Sequence, residues 1–206
     1  MHNPEMNVSL MHFPKGALPA FPKQGKAKLQ LLDAATLNTM NDFEIKVTAS
    51  KTPKYFVERF CKHPFYDYSV HGLILDNALK ALIATRIATH EGHNALRIVD
   101  MLGDTTAITE CGSALAKLMS ERQCEYVDFW QHGIDDALMK QAGFVAIDRD
   151  GDIICPNFFE PFLVKNGRIM CAVKSQSNHP LLICRADGDQ DRPNMLIDRE
   201  VEYHHG

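Results

Sequence analysis

The sequence has no C-x-x-C pair among its six cysteines, no excess of basic residues, and no run near the ~20 apolar residues of a membrane span. Each absence excludes a class. Cys61, Cys111, Cys124, Cys155, Cys171 and Cys184 are scattered, and a chain of 206 residues has no need of disulfide staples, so they read as reduced core residues of a cytoplasmic protein. Against 22 Lys+Arg stand 26 Asp+Glu, and a net charge of -4 offers no broad cationic surface to a phosphate backbone. Nucleic acid is therefore not an expected partner. The apolar positions of residues 1–18 never join into the core of a signal peptide, and neither secretion nor a membrane partner is expected.

What is present suffices for one core, since 45% of the residues are hydrophobic. Residues 1–28 carry Pro4, Pro14, Pro19 and Pro22 with Gly16 and Gly25, and read as a loop or arm. A strand over 28–31, a helical turn capped by Asp33 or Thr36, and a strand over 43–48 complete a lead-in that ends at residue 49. Pro53 then opens a helix bearing Tyr55, Phe56 and Phe60, closed at His63-Pro64. Three β-type segments follow at 68–75, 78–88 and 95–101, the first two joined by the hairpin signal Asp76-Asn77.

Beyond Gly103, Ala114, Leu115, Leu118 and Met119 make the stripe of an amphipathic helix over 109–122. A buried strand is expected at 126–130. A helix over 134–142 carries Asp135 and Asp136 at its N-terminus and Gly143 at its C-cap. Short strands at 144–147 and 169–174 flank a Pro-rich loop, and a polar tail ends the chain. This order predicts an α+β fold in which one mixed, mainly antiparallel sheet carries helices on both faces. The domain would span 50–195, with 196–206 as a tail.

Several local sequences carry a resemblance. The segment IDDALMKQAGF at 134–144 resembles the late helix ending in Gly-Phe of the GNAT acyltransferases. RFCKHPFYDY at 59–68, LRIVDMLG at 96–103, YVDFWQHG at 126–133, PNFFEPF at 156–162 and DGDQDRPN at 187–194 are similar to a bacterial subfamily of uncharacterised GNAT-like proteins associated with surface-polysaccharide genes. In those relatives the similar segment looks like the C-terminal part of a two-lobed protein. The resemblance implies acetyl-CoA as cofactor and an acyl transfer to an amino or hydroxyl group of a small-molecule substrate such as a sugar precursor. It equally allows a non-catalytic lobe that binds a partner subunit or a saccharide.

The places where the resemblance would put the chemistry hold unusual residues. The pyrophosphate loop of the family, Arg/Gln-x-x-Gly-x-Gly/Ala, falls on Ala107, Glu110 and Gly112, of which only Gly112 fits; Gly112 and Ser113 are the candidate cofactor-binding residues. A carboxylate at Glu110 repels a pyrophosphate. The family's proton-donating tyrosine falls at Met139, which leaves His132, after an apolar strand, as the candidate base.

Other residues suit chemistry by type. Asp100 and Asp128 lie in buried β-segments, where a carboxylate is either an acid/base of raised pKa or half of an ion pair with Arg86 or Arg97. Phe158, Phe159 and Glu160 compose an aromatic platform for a sugar or a plug beneath a long loop. His90 and His93 read as a solvated hairpin tip and Asp187–Asp191 as an acidic turn held by arginine, so no metal is expected. Edge strands make a homodimer conceivable.

Overall fold

The protein's structure, a computed structural model, describes residues 7–12, 25–40, 51–90, 92–148, 150–155, 166, 169–172 and 181–188. The strands are β1 (Asn7–His12), β2 (Lys28–Leu32), β3 (Tyr68–Leu75), β4 (Ala78–His90), β5 (His93–Gly103), β6 (Tyr126–His132), β7 (Val145–Ala146) and β8 (Ile183–Cys184). They form one sheet in the order β2-β3-β4-β5-β6-β1-β7, with β8 added to β6. Among the described strands only β5 and β6 run parallel. This is the mixed, mainly antiparallel sheet that the sequence predicts.

Helices lie on both faces. The helix α3 (Gly112–Glu121), the 3-10 helix Thr105–Glu110 before it and α4 (Asp136–Gln141) cover one face, where Leu115, Met119, Ile108 and Met139 pack on Leu73, Ile83, Leu96, Ile98 and Phe129. The helices α1 (Ala34–Thr39) and α2 (Pro53–Phe56) cover the other, and α2 continues into the wider π-type turn Val57–Cys61. There Leu37, Phe56, Val57 and Phe60 meet Val70, Leu82, Ala84, Val99 and Leu102.

Local chemistry explains the element ends. Asp33 caps α1 by accepting from the Thr36 N–H at 2.8 Å, and Asp135 caps α4 by accepting from Ala137 at 2.7 Å. Asp76 and Asn77 both adopt positive φ (51° and 59°), the geometry that turns β3 into β4 with the right twist. Among the described residues no helix is long and apolar enough to cross a membrane.

Two differences from the sequence reading matter. Residues 7–12 are a strand rather than part of an arm: β1 pairs with both β6 and β7. No proline falls within this stretch, so nothing in it removes a ladder donor. The second difference is a bulge in β5. Ala84 pairs with Asp100 and Thr85 with Ile98, so Val99 is an extra residue. The parity of β5 breaks there, with Ile98 and Met101 in one core and Val99 and Leu102 in the other. The strand expected at 169–174 is reduced to a single bridge residue at Met170, with residues 173–174, like the strand expected at 43–48, outside the described residues.

Candidate functional site

Asp100 and Asp128, both fully buried, are the centres of two charge clusters. Lys51, from the turn that leads into α2, donates from Nζ to Asp100 Oδ1 and to Asp187 Oδ2, the latter at 2.6 Å. Asp100 Oδ1 also accepts from the Met101 N–H at 2.8 Å, while its Oδ2 has no hydrogen-bond partner among the described residues. Burial pushes the Asp100 carboxyl up to about 6, against the pull of Lys51. Burial alone would lower the Lys51 ammonium, but the carboxylates of Asp100 and Asp187 paired with it outweigh that and hold it charged.

The second cluster bridges the parallel strands. Arg97 donates from Nε to both Asp128 oxygens at 3.1 and 3.2 Å and from an Nη to Oδ2 at 2.9 Å. Arg185 approaches the same Oδ2 at 3.7 Å with its guanidinium 4.3 Å from the Trp130 ring centre. Cys155 Sγ adds a long contact of 3.9 Å to Oδ2. Arg97 is one of the two partners the sequence suggests for these acids; Asp100 instead takes Lys51.

A single 3-10 turn, Arg185–Gly188, ties the clusters together, since Arg185 reaches Asp128 and Asp187 reaches Lys51. Asp187 also caps its own turn by accepting from the Cys184 N–H at 2.8 Å. Asp100, Cys184 and Asp187 lie with their ligand atoms within 4.8 Å of one another, a spacing that suits a divalent cation. The Lys51 ammonium already bonds both carboxylates there and acts as the cation of the cluster. The Cys184 thiol is pushed well above its ordinary value by full burial, which keeps it protonated.

His132 ends β6, half-buried, opposite Ile183 of β8. It lies four positions along the strand from Asp128, roughly 13 Å at ~3.3 Å per residue, so the structure does not bring the candidate base and that acid together. Met139 is buried in the core beneath α4. Phe158, Phe159 and Glu160 lie outside the described residues, as do the His90 side chain and residues 189–191.

Acetyl-CoA does not fit the place the resemblance assigns to it. Residues 105–110 are wound into a 3-10 helix capped by Asp104, and Ala107 is buried in the core. The chain's own segment 25–27 lies across that turn: Glu110 O accepts from the Ala27 N–H at 3.1 Å and Glu110 Oε2 from the Lys26 N–H at 2.9 Å. A Cβ on Gly25 would lie 2.0 Å from Glu110 O, so no space separates the two backbones. Gly112 is buried and Ser113 half-buried just beyond this contact. Where β5 leaves β6, after the pairing of Ile98 with Phe129, β8 takes its place beside Gln131 and His132.

No known protein family and no curated protein matches the sequence. Among solved structures, the chain is similar to a GCN5-related N-acetyltransferase from Anabaena variabilis, with a TM-score of 0.42 and 11% identity over 70% of this chain. The match spans 38% of that protein's length.

Sequence reasoning passed over Lys51, Arg185 and His71 as site residues. Lys51 was legible only as a helix opener, because its acids lie far along the chain. His71 had a signal, a lone imidazole inside the apolar run Val70–Leu73.

Proposed function

We propose that this chain is a GNAT-like lobe that binds an acceptor or a partner within an acyltransferase, and that it does not itself hold the acyl-CoA. The observation that carries this reading is the contact of segment 25–27 with Glu110, which places backbone and a carboxylate where a pyrophosphate would need open amides. Acyl transfer remains the class of reaction the resemblance implies, and the acyl donor would then sit on another lobe or another polypeptide. On this reading Asp100 and Asp128 are structural, because Lys51, Arg97 and Arg185 occupy the positions around them.

Calorimetric titration with acetyl-CoA tests the proposal. No saturable heat is expected up to millimolar cofactor. Binding to the purified chain, together with an acetyl-transfer activity that His132→Ala abolishes, would instead make this lobe the enzyme and His132 its base.

A further inference from the structure

Outside the charge clusters, the molecule has a groove along the flank of α3 lined by both charged and apolar side chains. Two cavities of about 500 and about 400 Å³ share His71, Leu118 and Arg122 in their walls. One lies between β2 and α3 and adds Lys28, Ser113 and Lys117; the other lies between β3, β4 and the turn before β3 and adds Ser69, Thr85 and Arg86. His71 projects from β3 on the face that α3 covers. Its strand neighbour Leu31 and its alternate residue Leu73 lie on that side.

His71 is the anomaly of this groove. It is 4% exposed, and its buried Nε2 has no hydrogen-bond partner among the described residues. A buried imidazole nitrogen left unpaired carries a desolvation cost that a ligand could recover. Burial, reinforced by the Arg122 charge, lowers its pKa to about 4, so the ring is neutral at pH 7 and offers one donor and one acceptor. The groups that face it are Arg122 from α3 and, across the two cavities, Arg86, Lys28 and Lys117 against Asp67 and Glu121. Among the described lining residues the cations outnumber the acids. Arg86 is held in place with its guanidinium 4.2 Å from the Tyr66 ring centre.

We infer that this groove binds a small hydroxylated organic anion, its charge beside Arg122 and Arg86 and a hydroxyl on His71 Nε2. Ser69 and Thr85 supply further hydroxyl partners on the same wall. Arg122 is exposed at the C-terminal end of α3, so its side chain has room to swing aside and admit a group to the ring beneath. The inference names the acceptor of the reading above and rests on it; the larger cavity reaches Ala27 of the Glu110 contact, whereas His71 and Arg122, which carry the inference, take no part in that contact and are tested separately.

The test titrates the full chain with galacturonate and glucose 6-phosphate, with glucose and acetate as controls, following the His71 ring nitrogens by NMR. Saturable binding of at least one anionic sugar, with a shift of the His71 Nε2 signal and at least tenfold weaker binding of glucose and acetate, is expected. Arg122→Gln, at an exposed position, should weaken the anionic sugar at least tenfold without loss of fold, and His71→Gln should do the same. No binding of either anionic sugar, or binding that Arg122→Gln leaves unchanged, overturns the inference. The acetyl-CoA titration reports on the parent reading in the same samples, so the two failures are distinguishable.

Discussion

Lys51 and Asp187 lie 136 positions apart, and their side chains meet at 2.6 Å over the buried carboxyl of Asp100. The contact ties the start of α2 to the last described turn. Removing the cation leaves Asp100 buried without its counter-charge, and breaking a buried pair costs about 3–5 kcal/mol. Lys51→Met should therefore lower stability by that order in urea unfolding. Asp187, whose side chain is 25% exposed, is the lesser partner, so Asp187→Asn should cost about 1 kcal/mol. Equal losses in the two variants would contradict this ranking.

The pH dependence of stability turns on two buried groups of opposite sign. Asp100 has a folded-state pKa raised by burial from 3.8 to about 6, so between those values the fold binds a proton that the unfolded chain releases. Its contribution rises on acidification from pH 6 to 4. His71 has a folded-state pKa lowered by burial from 6.5 to about 4, so the unfolded chain binds the proton instead. Its contribution is complete above pH 6.5 and is lost as pH falls toward 4. Each slope is about 1.4 kcal/mol per pH unit at most, and the two nearly cancel. Relative to the parent, Asp100→Asn should lose stability more steeply below pH 6, and His71→Gln should lose it less steeply. Parallel curves for parent and variants, from urea midpoints at pH 4.5 to 7, would refute both assignments.

The order of elements was legible because it follows from local signals: Asp76-Asn77 for the hairpin, the Leu115–Met119 stripe for α3, and Gly143 after α4. What escaped was set by tertiary context. β1 reads as part of an arm because of the prolines and glycines spread over residues 1–28, and only its place between β6 and β7 makes Asn7–His12 a strand. The bulge at Val99 leaves no mark in the sequence, yet it decides that Asp100 faces Lys51. Asp128 could be recognised as a buried acid needing a cation, and Arg97 could be named, because both lie in adjacent predicted strands. Arg185 and Lys51 could not be paired with their acids, since they come from turns whose positions are fixed only by the finished sheet. The Glu110 position was recognisable as hostile to a pyrophosphate by its charge alone, whereas the segment that covers it was not.

The cysteines should separate sharply by reactivity. Burial raises the thiols of Cys111 and Cys155 to about 12 and that of Cys124 to about 11, and it raises the Cys184 thiol well above its ordinary value. Cys61 is exposed and Cys171 half-buried. Since the thiolate is the reactive form, iodoacetamide at pH 8 should label Cys61 and Cys171 in the folded chain and the other four only after denaturation. Mass spectrometry of tryptic peptides gives the answer directly, and rapid native labelling of Cys184 or Cys155 would mean that the charge clusters are not dry.

Gly25 is the most direct handle on the closed cradle. Its φ of +125° is a conformation that side chains resist, and a Cβ there would sit 2.0 Å from Glu110 O. Gly25→Ala must therefore push the segment away from Glu110, with loss of the Ala27 N–H bond to that oxygen. A cost of about 1–3 kcal/mol is expected, with faster hydrogen exchange at Lys26 and Ala27. The Glu110 carboxylate stays in place, so acetyl-CoA should still fail to bind this variant. Only Gly25→Ala combined with Glu110→Gly removes both the cover and the charge, and it restores a glycine at the place where the resemblance calls for one. If the double variant gains millimolar acetyl-CoA affinity while both single variants show none, the cradle is closed by these two features together. If Gly25→Ala alone binds the cofactor, the carboxylate is not a barrier, and the exclusion rests on backbone contact.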